Sequence, residues 1–413
     1  MKSKIYILLF FCACLVGCVD DSYRGMYDIF HSGHTTSDIP VWIKIGESTN
    51  LGVKSTTKGS GVVESADDFK DKNFYVYAFN KDKGTSYKVR SAEDEINTLI
   101  DGSIDDVTSV EGRSAMWNRK YERVVWKDPD QNVERADVYW PKSQARDFRY
   151  DFFAYYLDDI KVDPEDIHRT EDQINIDIEI DGKQDIISSK AAPSDFKLDA
   201  MFPNEIDKIA YKYYYCYSYQ SAMMNLQPEF VFNHQLSKIR FRLMPGVTEG
   251  RVNKITLHSL SIESCYKGSF RVAAKDQDQG IQFHKEYVKS FDMFTESSSP
   301  YDVYTASNSS AARTPIDIDG YLLLAPSNNG YYVTMQMSEI RDVGGPNEET
   351  LRMVPYTTFI YRGSKESPDP FLTGEEYVVT MHVFGREDIR VNIDVKPWEP
   401  GGYVIPDTEQ MPE

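Results

Sequence analysis

Imidazole is the commonest protein ligand for transition metals and the side chain best suited to proton transfer near neutral pH, so the seven histidines are the first residues to weigh. They are scattered, with no HExxH and no His-x-His pair. His31 and His34 lie close together, but without a nearby Cys or a further His to complete a site. His234 and His382 fall inside strand-like sequence and read as core or edge histidines rather than ligands. Asp128, Asp130 and Asn132 imitate the start of a calcium loop. The imitation fails because Val133 holds the glycine position and Tyr139 stands where the bidentate Glu is needed. Asp317, Asp319 and Gly320 fail in the same way and read as a turn. There is no Gly-x-Ser-x-Gly elbow, no phosphate-cradling loop and no dinucleotide fingerprint. Paired carboxylates occur throughout so acidic a chain, so no pair singles itself out for glycoside hydrolysis. These patterns point away from an enzyme, and neither a cofactor nor a metal is expected.

The N-terminus carries the one residue with a specific chemical expectation. Lys2 and Lys4 precede an apolar run from Ile5 to Val16, too short for a permanent bilayer span and right for the core of a signal peptide. The run ends in Leu15-Val16-Gly17-Cys18. A Leu three places before a Cys, with Gly directly before it, resembles the lipobox of bacterial lipoproteins. That resemblance implies lipidation of Cys18, which becomes the new N-terminus on the outer membrane. Loss of the leader takes the formal charge from -19 to -21 and leaves Cys216 and Cys265 as the only other cysteines. Two cysteines cannot make a disulfide framework, and their aromatic or apolar surroundings favour buried thiols over a bridge.

The acidic balance argues against nucleic acid as a partner, since phosphate backbones attract clustered Lys and Arg. Aromatics make up 13% of the 413 residues, led by 28 Tyr, a composition that suits sheets better than helices. A chain of this length has room for two domains.

Residues 20 to 39 are polar and weakly periodic, a tether from the lipid. Val41, Ile43 and Ile45 then alternate with Trp42 and Lys44 as a short strand, followed by a flexible loop at Lys54 to Gly61. Phe74 to Phe79 is apolar on both faces, the mark of a central strand. Residues 91 to 137 are charged and read as loops with short strands. Ile174, Ile176, Ile178 and Ile180 alternate strictly, and Asp181-Gly182 then signals a hairpin turn before Ile186 and Ile187. From Pro203 to Met224 the period lengthens towards a helix, although the tyrosine run there also suits a strand. Phe230 to Met244 changes phase partway, from Phe230, Phe232 and Leu236 to Ile239, Phe241 and Leu243, which requires a bulge or bend near Gln235 to Lys238. Lys238, Arg240 and Arg242 fill the other face of its second half and predict a wetted side. Ile255 and Leu257, then Leu260 and Ile262, predict a strand with a second slip. Residues 273 to 313 read as a long polar loop. Tyr321 to Leu324 and Tyr331 to Met337 read as a hairpin, as do Tyr377 to Val383 and Ile389 to Val395. The expectation is a mainly β chain of two tandem β-sandwich domains with one helical segment. Its parts are a signal at 1–18, a tether at 19–39, an N-terminal domain at 40–228 and a C-terminal domain at 229–413.

Several segments together resemble the fimbrillin family of Bacteroidales, the outer-membrane lipoproteins that build type V pili. They are Lys58-Gly59-Ser60-Gly61 leading to Asn73 through Phe79, Tyr139-Trp140-Pro141 before Tyr150 through Tyr155, and Phe232-Asn-His-Gln-Leu-Ser-Lys238 after Asn225-Leu-Gln-Pro228. In the second half they are Tyr321 through Pro326, Phe371-Leu-Thr-Gly374 with Tyr377, and Trp398-Glu399-Pro400-Gly401-Gly402. The resemblance implies transthyretin-like sandwiches and assembly with other fimbrial subunits by strand exchange, in which an N-terminal strand is removed and a neighbour's strand fills the groove. Val41 to Ile45 would be that strand. The family's processing enzyme cuts after Arg, whereas this chain has no Arg between Arg24 and Arg90 and offers only Lys54 and Lys58 in the loop. The function expected is a fimbrial subunit of the outer surface, a tip or accessory subunit with an adhesive role and a host or bacterial surface receptor. The tail residues Tyr403 to Ile405 are interrupted by Pro406 and make a poor donor strand. The alternative is a cell-surface glycan-binding lipoprotein that uses exposed tyrosines.

Overall fold

Period-two alternation of aliphatic and aromatic residues produces strands almost everywhere in this chain. The computed structural model describes residues 39–45, 74–81, 98–102, 114–118, 123–127, 138–140, 148–192, 204–205, 208, 217–223, 226–246, 252–295, 300–305, 314–342, 345–385 and 388–397. From Val41 onward they belong to one compact unit.

In chain order the first strands are β1 (Lys44–Ile45), β2 (Phe74–Asn80), β3 (Thr98–Asp101), β4 (Ser114–Asn118), β5 (Arg123–Lys127), β6 (Tyr150–Tyr156), β7 (Ile167–Arg169), β8 (Gln173–Glu179) and β9 (Ile187–Lys190). A short helix, α1 (Tyr219–Met223), precedes β10 (Glu229–Phe230), β11 (Asn233–His234), β12 (Ser237–Pro245), β13 (Val252–Cys265), β14 (Lys267–Ala274), β15 (Gly280–Phe283), β16 (Val288–Phe294) and β17 (Tyr301–Thr305). The chain ends through β18 (Ile316–Asp317), β19 (Leu322–Leu324), β20 (Tyr331–Arg341), β21 (Glu349–Ile360), β22 (Arg362–Gly363), β23 (Pro368–Asp369), β24 (Glu375–Gly385) and β25 (Asp388–Pro397). The fold is mainly β, in several open sheets.

The first sheet runs β11-β9-β6-β2-β4-β5, with β3 also on β2. As expected, β2 is central: Val76 and Tyr77 are fully buried, and the strand pairs with β6 from Tyr75↔Tyr155 to Asn80↔Tyr150. A second sheet runs β18-β12-β24-β25, with β19 on β12, and a third runs β16-β13-β20-β21, with β17 on β13. A fourth, β15-β14-β8-β7, joins chain from both sides of residue 228 through the β8–β14 ladder, Ile178↔Gly268 to Gln173↔Ala274.

One buried cluster reaches across these sheets, from Tyr77 and Phe153 through Ile176 and Phe270 to Leu257, Val333 and Tyr377. Each fully buried aliphatic or Phe side chain in it contributes about 1.5–3 kcal/mol. Tyr331 and Tyr377 meet over Phe371, at 4.8 and 4.7 Å between ring centroids, and the Tyr331 hydroxyl donates to the Ala325 carbonyl at 2.7 Å. A phenol enclosed in this way keeps a partner for its polar tip, and burial pushes its pKa far above the ordinary tyrosine range.

The turn signals are real, but two of them lead elsewhere than a hairpin. Gly182 takes φ +92°, and the Asp181 carboxylate accepts from the Lys183 amide at 2.7 Å. The chain then passes from β8 in the fourth sheet to β9 in the first, so these strands do not pair with each other. Likewise Ser327 to Gly330 carries the chain from β19 in the second sheet to β20 in the third. Gly330 sits at φ +128°, where a Cβ would fall 2.1 Å from the Ile360 carbonyl oxygen. Both corrections have one cause: turn chemistry sets the local reversal, while burial of both apolar faces decides which sheet receives the next strand. The polar stretch 273–313 is also not a plain loop, because β15, β16 and β17 form within it. By contrast, the last hairpin pairs in the register that its alternation predicts, Tyr377↔Val395, Val379↔Ile393, Met381↔Val391 and Val383↔Ile389.

In the stretch expected to be helical, Glu205 and Lys208 are helical, and the Lys208 amide donates to the Asn204 carbonyl at 3.0 Å. Tyr217 then adopts φ +56° and α1 begins behind Ser218. Ser218 and Ser221 cap each other, with each hydroxyl accepting from the other residue's amide at 3.2 and 2.8 Å. Residues 209–216 lie outside the described residues, so Cys216 does too.

Candidate subunit interface

The Val41–Ile45 segment alternates as its sequence predicts. Val41, Ile43 and Ile45 are buried, while Trp42 and Lys44 face outward. The Val41 amide donates to the Val138 carbonyl at 2.7 Å, the Lys44 amide to the Pro228 carbonyl at 2.9 Å, and β1 pairs in parallel with β10 through Lys44↔Glu229 and Ile45↔Phe230. At Trp42 a side chain takes over from the backbone ladder. The Gln227 amide oxygen accepts from the Trp42 amide at 3.2 Å and from the Trp140 indole at 3.3 Å. Trp140 is itself 1% exposed and packs edge-on against Tyr150 and Phe152. The Tyr-Trp-Pro and Leu-Gln-Pro segments therefore meet at the strand they flank.

The site is an extended segment whose three apolar side chains are buried; of the strand expected over Val41 to Ile45, Lys44 and Ile45 form a regular strand, paired in parallel with β10. Burial of the aliphatic side chains adds to the hold of these backbone bonds. Around its outward side, Trp42 (43%), Tyr139 (47%) and Val231 (44%) keep nearly half their surface open.

The phase change after Phe230 is where the chain changes sheets. β11 pairs with β9 in the first sheet, Gln235 and Leu236 interrupt the strand, and β12 continues in parallel with β24 from Lys238↔Glu376 to Pro245↔Val383. The interruption falls within the predicted Gln235 to Lys238 window. A chain of polar contacts stitches this joint. His234 Nδ1 stands 2.9 Å from Asp185 Oδ1, the Asp185 amide donates to Asp158 Oδ2 at 3.4 Å, and the Tyr156 hydroxyl donates to Asp158 Oδ1 at 2.7 Å. Burial, and then this carboxylate, raise the Tyr156 phenol well above its ordinary range. Asp158 takes φ +53°, a left-handed conformation that Asp tolerates. The predicted wetted face of β12 is only partly so, because Lys238 is 5% exposed, 3.0 Å from Glu376 and 4.8 Å above the Tyr321 ring. A compensating carboxylate and a ring let the ammonium leave water. Neither Asp185 nor Glu376 could be matched to its partner from sequence, since each pair spans two separate segments.

The remaining residues singled out from sequence are dispersed. Cys18, His31, His34, Lys54, Lys58, Asp128, Asp130, Asn132 and Val133 lie outside the described residues. His382 is half-buried opposite Met244 in β12. Asp317 pairs with Arg242 at 2.6 Å, and Gly320 turns the chain at φ +89°. Cys265 is half-buried and forms no disulfide among the described residues, so it is less enclosed than expected. Burial first, and then the Glu286 carboxylate, raise its thiol pKa. Among the described residues no group of three or more His, Cys, Asp or Glu side chains comes together to hold a metal ion. No helix among them is long and apolar enough to cross a membrane.

No family model matches the chain, and no curated protein matches it. Solved structures do. A fimbrial protein from Bacteroides vulgatus is similar at 11% identity and TM-score 0.48, over 87% of this chain and 99% of its own. A candidate cell adhesion protein from Bacteroides uniformis is similar at 12% identity and TM-score 0.41, over 89% and 100%. The fimbrial anchor protein Mfa2 from Porphyromonas gingivalis is similar at 12% identity and TM-score 0.32, over 89% and 100%. These three solved structures are thus a fimbrial protein, a candidate cell adhesion protein and a fimbrial anchor protein.

Proposed function

We propose that the chain is a subunit of a bacterial surface fimbrium, exported as a lipoprotein acylated at Cys18 and carried on the outer membrane. In this reading it is a tip or accessory subunit with an adhesive role, and it performs no catalysis. The observation that carries the proposal is the seating of Val41, Ile43 and Ile45. Three buried aliphatic side chains on an extended segment, paired in parallel with β10 at Lys44 and Ile45 among the described residues, make a plug that can be exchanged for a strand of the same alternation. The order of the fimbrillin-like segments supports it, because Phe74–Phe79, Tyr150–Tyr155 and Ser237–Lys238 form core strands and Trp140 and Gln227 line the plug. The division into two tandem transthyretin-like sandwiches at residues 228 and 229 belongs to the same proposal, with the β8–β14 ladder tying the halves together.

The test compares an unlipidated chain starting at Val19 with a truncation starting at Gly59, each mixed with a neighbouring fimbrial subunit and resolved by size-exclusion chromatography. Removal of the plug exposes an apolar groove, which is a pairing template, so the truncated chain should form the heterocomplex more readily. If the two elute alike, the segment does not guard a donor groove and the exchange reading fails.

A further inference from the structure

We propose that the outward face of the β13–β20–β21 sheet binds an uncharged oligosaccharide, a proposal that rests on the adhesive part of the reading above. Two neighbouring sheets carry ion pairs. Lys267–Glu179 and His168–Asp177 lie on the fourth sheet, and Lys238–Glu376 and Arg242–Asp317 on the second. The third sheet carries Lys254–Asp302 and Arg341–Glu339 at one end and the exposed Glu263 on β13 at the other, while hydroxyl and amide side chains fill the rows between them. The register aligns Ser261, Thr334 and Thr357 in one row and Ser259 and Gln336 in the next outward row. The two threonine hydroxyls lie 2.9 Å apart, and His258 Nε2 lies 2.8 Å from the Ser338 hydroxyl further along. Strands are about 4.8 Å apart, so the row Ser261–Thr334–Thr357 spans about 10 Å of uncharged hydroxyls. Asp292, exposed on β16 opposite Ser261, closes the row at the far side.

One end of this strip is aromatic. Tyr332, 53% exposed, faces Phe359 across the ladder with ring centroids 4.9 Å apart, and Tyr361 continues the face, 6.2 Å beyond Phe359 and nearly parallel to it. A pyranose presents an apolar face of C–H groups and a rim of hydroxyls. Exposed rings suit the first and fixed hydroxyl and amide side chains suit the second. The charge match commits the occupant to a neutral sugar: among the described residues the rows Ser261–Thr334–Thr357 and Ser259–Gln336 offer no cation for a sialic acid or a phosphate, and the exposed Glu263 and Asp292 carboxylates repel both. Tyrosines also present large contact area at little conformational cost. A cross-strand Tyr–Phe pair alone would stabilise the sheet, but it gives no reason for the adjoining rows to be uncharged.

The experiment is titration calorimetry of the full mature chain with the N-acetyllactosamine trimer, laminarihexaose and, as the charged comparator, sialyllactose. At least one neutral probe should bind. Tyr332→Ala should weaken that binding about tenfold, and Thr334→Val should weaken it severalfold with an unchanged melting temperature. Tyr332→Phe keeps the ring and should bind close to the parent, which separates loss of the platform from loss of the fold. The proposal is overturned if neither neutral probe binds, if only sialyllactose binds, or if Tyr332→Ala and Thr334→Val bind like the parent chain. The fimbrial reading is tested separately by subunit association, which involves no sugar, so the two can fail independently.

Discussion

His234 Nδ1 lies 2.9 Å from Asp185 Oδ1, with both side chains buried, at the point where the chain leaves the first sheet for the second. Removing one partner of a buried hydrogen bond leaves the other's polar atom to be desolvated without compensation. Asp185→Ala is therefore expected to cost about 1–3 kcal/mol, read as a lower midpoint in urea unfolding. An unchanged midpoint would mean that the joint does not depend on this contact.

Gln227 serves two donors from one oxygen, the Trp42 amide and the Trp140 indole. Gln227→Ala should cost about 1–3 kcal/mol and free the N-terminal strand before the rest of the sheet. Hydrogen exchange at the Trp42 and Lys44 amides should accelerate while the β2 amides stay protected. Uniform acceleration would assign Gln227 a global role instead.

Val76 is fully buried in the strand at the centre of the first sheet, which has β6 on one side and β3 and β4 on the other. Val76→Asp buries an unpaired carboxylate and should destabilise by more than about 4 kcal/mol, enough to unfold this sheet. Circular dichroism at room temperature would register the loss, and a native spectrum with an unchanged melting temperature would refute it.

The Leu15-to-Cys18 spacing predicts lipidation. Cells fed an alkyne fatty acid should label the parent protein and leave Cys18→Ser unlabelled. Equal labelling of the two would place the acyl group elsewhere.

Burial and the nearby Glu286 carboxylate both disfavour the Cys265 thiolate, so its pKa lies above the ordinary value and the reactive fraction at neutral pH is reduced. Iodoacetamide should modify Cys265 severalfold more slowly than a free cysteine peptide at the same pH, with the rate rising as pH passes the usual thiol range. Peptide mass spectrometry over a pH series would measure it, and a rate equal to the free peptide would remove the assignment.

Sequence alone determined the strands whose alternation is uninterrupted. The alternating burial of Ile174 to Ile180 and of Val41 to Ile45, and the Tyr377–Val395 hairpin, could be read directly, because a side-chain period of two leaves one buried face. The bend near Gln235 followed from a phase change that a single flat strand cannot accommodate. Tertiary structure alone decided where each strand went. The turns at Gly182 and Gly330 have hairpin chemistry, yet both hand the chain to another sheet, because a turn fixes only its own few residues and burial selects the partner strand. It also decided that Lys238 lies buried against Glu376, and that Ser261, Thr334 and Thr357, far apart in the chain, form one uncharged row. Pairings of this kind depend on long-range register, which no local pattern of residues contains.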